Sequence, residues 1–140
     1  MIHHLTIPTD GPACHEITGD LSAWLRDVGA VQGLLTLMIR HTSASLLIQE
    51  NADPEVQTDL LAWLDRLAPP SDHPSMGWIT HTYEGPDDMP AHLKAAVLPT
   101  SLQIPVEDGR MALGRWQGVY LMEHRREPHQ RRVVAMFQPL

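Results

Sequence analysis

The chain has 140 residues, of which 43% are hydrophobic, and carries a formal net charge of −7. That length and apolar content fit one folded domain spanning residues 1–140 and exclude a disordered chain. The acidic balance argues against a general nucleic-acid binder, and no apolar run reaches the ~20 residues of a membrane-spanning helix.

Taken in chain order, Leu5-Thr-Ile reads as a first strand. The opening Met1-Ile-His-His has neither the basic nor the apolar part of a secretory signal. Cys14 is the one cysteine, so no internal disulfide is expected and a reducing, cytoplasmic location fits. Leu21, Trp24, Leu25 and Val28 recur at helical spacing, which predicts a helix from Ile17 to Val28 with Thr18 as cap and Gly29 as terminator. Leu34 to Ile39 is an apolar run of strand length, and Leu46-Leu-Ile makes another strand after a polar turn. Asp53-Pro54 opens a helix that carries Val56, Leu60, Leu61, Trp63, Leu64 and Leu67 and ends at Pro69-Pro70. Residues 69 to 77 read as a loop. A short helix follows Asp88-Met-Pro and includes Leu93, Ala96 and Val97. Strands then run from Ser101 to Pro105, from Leu113 to Met122 with a bulge at Gly118, and from Arg132 to Phe137. Asp108-Gly109 is a hairpin signal. Strands in uneven blocks with segregated helices predict an α+β fold with mixed or antiparallel sheets and about three helices.

The chemistry concentrates between His81 and Leu93. His81 and His92 flank Glu84, Asp87 and Asp88 at a helix start, with Lys94 just behind. Imidazoles and carboxylates are metal donors, and a helix N-terminus favours anions, so the stretch suits a cation beside a phosphate. Satisfied polar histidines in a helix-entry loop are the plain alternative. His41, with Thr42, Ser43 and Ser45, fits a ligand or base at a strand end near hydroxyls for a phosphate; it equally fits a polar turn. Glu50, Asn51 and Asp53 precede the second helix, where Asp53 reads as a cap and the carboxylates as Mg²⁺ ligands. Lys94 and Arg125 are candidates for a phosphate clamp or for solvated surface charge. Arg125, Arg126, Arg131 and Arg132 leave room for a local basic pocket. Trp116 and Gln117 read either as a pocket wall or as a buried tryptophan with its neighbour.

These motifs, in this order, resemble the YjbQ-like proteins, also described as the secondary thiamine-phosphate synthase family. The resemblance rests on His41-Thr-Ser-Ala-Ser, Glu50-Asn-Ala-Asp-Pro and Glu84-Gly-Pro-Asp-Asp-Met-Pro-Ala-His92-Leu-Lys94. It continues through Ser101-Leu-Gln-Ile-Pro-Val and Leu113-Gly-Arg-Trp-Gln-Gly-Val-Tyr-Leu-Met-Glu-His-Arg125, so it spans almost the whole chain. It implies an α+β homotrimer that takes small phosphorylated metabolites. The implied reaction joins a hydroxymethylpyrimidine diphosphate to a hydroxyethylthiazole phosphate and releases diphosphate. The usual enzyme for that step is a (β/α)₈ barrel, too large for 140 residues, so a shared activity would be convergent. His41, His81 and His92 match the family's histidine positions, and Glu50, Asn51, Asp53 and Asp88 its polar ones. Arg115 departs from the family's Gly-Thr-Trp-Gln, and the chain ends Phe137-Gln-Pro-Leu where Gly-Glu is usual.

Both lines give one expectation. A divalent metal (Zn²⁺ or Mg²⁺), held at His41, His81 and His92 or by nearby carboxylates, binds the diphosphate, and no organic cofactor is needed. His41, Glu50, Asp53, Asp88 and Lys94 form the catalytic set, while Thr42, Ser43, Asn51, Trp116, Gln117 and Arg125 bind substrate. A metal-dependent hydrolase and a non-catalytic metal- or ligand-binding trimer are the competing readings.

Overall fold

The computed structural model describes residues 1–140. The elements run β1 (Ile2–Asp10), β2 (Ala13–Glu16), α1 (Thr18–Asp27), β3 (Gly33–Ile39), β4 (Ala44–Glu50) and α2 (Pro54–Leu67). After a 3₁₀ turn at Pro74–Met76 come α3 (Asp88–Val97), β5 (Ser101–Glu107), β6 (Arg110–Met111), β7 (Gln117–Glu123) and β8 (Pro128–Pro139). The fold is α+β. A five-stranded sheet in the order β1-β8-β3-β5-β6 faces a three-stranded sheet in the order β2-β7-β4. Every pairing is antiparallel.

One core fills the space between the sheets. Leu35, Leu37 and Ile39 of β3, Val133, Ala135 and Phe137 of β8, and Val119 and Leu121 of β7 meet there, closed at one side by Leu21, Trp24 and Leu25 of α1. The other face of β7 is covered as well: Tyr120 and Met122 pack with Leu61 and Leu64 of α2. A strand buried on both faces needs an unbroken apolar run, and Val119 to Met122 supplies it.

Several local expectations change. Leu113 to Trp116 is not strand; β7 starts at Gln117, and a two-residue β6 completes the Asp108-Gly109 hairpin. Gly118 makes no bulge, since it pairs in register with Gln49. Its value is space: a Cβ there would lie 2.6 Å from Glu16 Oε2. The sequence also hid β2, whose Ala-Cys-His-Glu lacks clear alternation. Thr18 does not cap α1; its hydroxyl donates to Glu16 Oε2 and accepts the Val119 N–H.

Two features position the functional residues. β4 pairs Ala44 with Glu123 at one end and Glu50 with Gln117 at the other. At a strand rise of ~3.3 Å per residue those ends lie roughly 20 Å apart. The outer face of the five-stranded sheet carries Ile2, Met38 and Met136 exposed, with Ile2 and Thr36 both opposite Met136.

Candidate functional site

The start of α3 gathers the best donor set. Asp88 is only 2% exposed although it is charged. Its Oδ2 lies 2.9 Å from His81 Nε2 and 3.2 Å from His92 Nε2, and its Oδ1 accepts from Arg125 Nη1 at 2.7 Å. His92 stands one helical turn beyond Asp88, the spacing at which side chains share a helix face. His81 arrives from the loop before α3, its ring edge-on to Tyr83. One ligand atom from each of His81, Asp88 and His92 falls within 4.8 Å of the others, a span that a single metal ion bridges.

The protonation of His92 is constrained by its other nitrogen. Nδ1 lies 2.9 Å from the Thr42 carbonyl, which only accepts, so Nδ1 carries a proton. Nε2 then either carries a second proton toward Asp88 or turns a lone pair toward it. The first is an imidazolium–carboxylate pair; the second places two electron-rich atoms face to face unless a cation lies between them. Burial alone would raise the Asp88 pKa, but the His81 hydrogen bond, the charge of His92 when it is protonated, and the charge of Arg125 outweigh it and hold the carboxyl below its usual range. Asp88 is therefore an anion at neutral pH.

Arg125 fixes this arrangement. Its Nε donates to Asp87 Oδ2 at 3.0 Å, its Nη1 to Asp88, and its Nη2 to the Glu84 carbonyl at 3.1 Å. The fork expected to hold phosphate is thus spent on its own loop. Asp87 does not cap α3 by its side chain; its Oδ2 accepts from Arg125 and from the Arg126 N–H. Gly85, at φ 99°, supplies the left-handed turn that brings the loop round.

Beneath lies a buried ionic anchor. Glu123 is fully buried and accepts from Thr9 Oγ1, from Arg131 Nε at 2.7 Å, and from the N–H groups of His124 and Arg125 at 2.9 and 3.1 Å. Arg131 Nη2 also donates to Ser43 Oγ at 3.0 Å. Burial raises the Glu123 pKa, yet the hydrogen bonds from Arg131 and Thr9 pull it below the ordinary value. His124, bonded to Ser45 at 2.9 Å, has its pKa lowered to about 4 by burial and by the nearby Lys94 charge, so it is neutral.

The remaining expected residues are dispersed. His41 stands apart from His81 and His92: its Nε2 accepts the Arg132 N–H at 2.8 Å, which occupies that lone pair. The donors that group with His81 and His92 include Asp88 and not His41. Thr42 contributes its carbonyl, and Ser43 its hydroxyl, to structural bonds. Lys94, two residues past His92, turns to a different side of α3 and lines a ~30 Å³ cavity with His124, Asp87 and Arg126. Burial lowers its pKa against the raising effect of Asp65. Glu50, Asn51, Asp53, Trp116 and Gln117 sit at the far end of β4. Asp53 caps α2 by accepting the Glu55 N–H at 2.9 Å, Asn51 donates to Glu16, and Gln117 accepts the Gly114 N–H. Trp116 is exposed, with Arg115 over its ring at 4.7 Å.

Sequence reasoning gave no role to Glu123 or His124, and it read Arg131 as part of a local basic pocket where the structure pairs it with Glu123. A usable signal was present, because a Glu directly after the buried run Val119–Met122 must find a cation when it is buried too.

The family model for UPF0047 protein YjbQ-like matches residues 3–139. The chain belongs to the UPF0047 YjbQ-like family. A UPF0047 protein of Synechocystis sp. is 47% identical over 131 residues, covering 94% of this chain and 86% of the relative. UPF0047 protein YjbQ of Escherichia coli O157:H7 is 42% identical over 96% of this chain and 94% of its own length. Among solved structures, a conserved hypothetical protein from Thermus thermophilus is similar with a TM-score of 0.83 and 34% identity, covering 97% of this chain and 99% of that one. A hypothetical protein from Aeropyrum pernix gives a TM-score of 0.87 at 27% identity, over 100% and 99% of the two chains. Family membership thus agrees with the α+β architecture.

Proposed function

We propose that His81, Asp88 and His92 hold a divalent cation and that the chain is a transferase of thiamine-phosphate synthase type. The observation that carries this reading is the single Asp88 oxygen within 3.2 Å of both Nε2 atoms, with the His92 Nδ1 proton fixed on the Thr42 carbonyl. Two imidazoles and one carboxylate facing a partly open position fit Zn²⁺ better than Mg²⁺, which prefers oxygen donors and retained water. The Thr42 carbonyl and the Arg125 guanidinium are the outer contacts such ligands need for orientation.

The cation, when bound, supplies charge neutralisation at the diphosphate oxygens. The residues around it do the rest. Asp88 and the Thr42 carbonyl orient His92, and Arg125 keeps Asp88 ionised. The α3 N-terminus adds partial positive charge beside the departing diphosphate. Trp78, Ile79 and Met89 line a cleft of about 230 Å³ beside His81, a flat apolar wall for a heterocycle. The carbon–oxygen bond to diphosphate breaks with its electrons leaving on oxygen, and the thiazole nitrogen forms the new bond to the pyrimidine methylene. No protein nucleophile takes part.

Assembly as a homotrimer belongs to the same proposal. The uncovered sheet face around Met38 and Met136 supports it as a subunit contact. Glu50, Asn51, Asp53 and Trp116, roughly 20 Å along β4 by strand rise, would reach a small substrate at His92 only from a neighbouring subunit. A second reading, hydrolysis of a small phosphorylated metabolite with water as nucleophile, is favoured by the 42% exposure of the His81 side chain, which admits solvent.

The test is thiamine phosphate formation by metal-supplemented protein from the two substrates, compared with His92→Ala. Turnover abolished in the variant supports transfer. Diphosphate cleavage without condensation moves the assignment to the hydrolase. Ligand binding without turnover leaves a non-catalytic binding trimer.

A further inference from the structure

The largest cleft of the chain lies away from α3 and has no part in the reading above. It measures about 640 Å³, within the size range of small-molecule sites, and opens between α1 and the β5–β6 hairpin. Thr18, Ser22 and Arg26 line one wall. Their spacing of four puts them on one strip of α1, turned away from the core stripe of Leu21, Trp24 and Leu25. Arg110 and Asp108 line the opposite wall, and Ala30, Met111 and Leu113 give it apolar ground.

That wall is held in place. Asp108 at φ 49° and Gly109 at φ 77° form a tight left-handed turn. The Gly109 N–H donates to the Val31 carbonyl at 2.8 Å, tying the hairpin tip to the loop after α1. A Cβ at Gly109 would come within 3.1 Å of the Ala30 carbonyl, so the contact is close-fitting. Met111 and Leu113 pack against the main core. The cleft therefore exists before any ligand arrives.

Its charge is distinctive. The arginine ion pairs of the chain are those of Arg125 and Arg131, which leaves Arg26 and Arg110 without carboxylate partners. Two free guanidinium groups against the one carboxylate of Asp108 leave the cleft net positive in a chain whose formal charge is −7. Guanidinium forks match carboxylate and phosphate oxygens, and the apolar ground beside them matches a hydrocarbon or aromatic body.

We infer that this cleft binds a small organic anion, a carboxylate or phosphate head on an apolar body. Arg26 and Arg110 take the head, Ser22 adds a hydroxyl, and Met111 and Leu113 take the body. Asp108 opposes the head and limits affinity for higher charge.

Calorimetric titration of the full chain with benzoate, phenyl phosphate and neutral benzyl alcohol tests this. Either anion should bind saturably, and the alcohol at least about tenfold more weakly. Arg26→Gln and Arg110→Gln should each weaken the anion about tenfold, whereas Asp108→Asn should tighten it. Asparagine tolerates the left-handed turn at 108, and both arginines are exposed, so the variants should fold. Absence of saturable anion binding, equal binding of the alcohol, or affinity unchanged in both arginine variants overturns the inference. The last outcome would place the anion elsewhere on the chain.

Discussion

The Nδ1 proton of His92 is held on the Thr42 carbonyl at 2.9 Å, joining α3 to the loop between β3 and β4. That contact turns Nε2 toward Asp88 and sets the choice between an ion pair and a cation site. It also gives Thr42 a role through its backbone, which substitution of its side chain leaves intact. Thr42→Ala should accordingly keep the site's metal affinity within a fewfold of wild type, as a competition titration would record.

Arg125 should act as a positioning residue. Arg125→Lys keeps the charge but cannot span Asp87, Asp88 and the Glu84 carbonyl together. Loss of an outer contact of this kind typically lowers metal affinity by about 10–100-fold. A Zn²⁺ titration of the folded variant measures the loss, and unchanged affinity would remove Arg125 from the site.

The Glu123–Arg131 pair predicts a stability effect. Arg131→Met strands a fully buried carboxylate and should cost about 3–5 kcal/mol, read from urea unfolding. Replacing both residues with apolar ones of similar volume should recover much of that loss. A single variant within about 1 kcal/mol of wild type would contradict the burial argument.

His124 makes a pH prediction. Its pKa falls from 6.5 to about 4 in the folded chain, so between those values the unfolded chain binds the extra proton. Stability then rises with pH across that window, and is lost as pH falls from about 6.5 toward 4, by roughly 3 kcal/mol at most. His124→Asn should flatten that part of the stability–pH curve, as thermal melts across the window would reveal.

Asp53 separates capping from chemistry. Asp53→Ala removes the acceptor for the Glu55 N–H and should cost about 1 kcal/mol, whereas Asp53→Asn keeps an acceptor and should cost little. If Asp53→Asn folds normally yet fails in the substrate assay, the carboxylate has a role beyond the cap.

Much of this was legible in the sequence because local signals and tertiary packing agreed. The α1 stripe, the Asp53-Pro54 helix start and the Asp108-Gly109 turn each rest on residues whose conformational preferences suit their positions. His81, Asp88 and His92 were readable as donors, but their convergence was not, since His81 comes from a loop whose path depends on Gly85 and on Arg125, just past the end of β7. The setting of His41 was hidden for the opposite reason. Its place at a strand end fits a ligand, while a backbone N–H on β8, ninety-one positions away in sequence, takes up its Nε2. The strand β2 was hidden because β7 selects it by edge pairing and not by its own pattern.

The most direct test of the cation centre is a Zn²⁺ titration of the metal-stripped chain beside Asp88→Asn, which keeps the side-chain shape and removes the charge. The predicted result is one site per chain in wild type, with affinity lowered by at least about tenfold in the variant. Equal affinity in both proteins, or no binding by wild type, would contradict it.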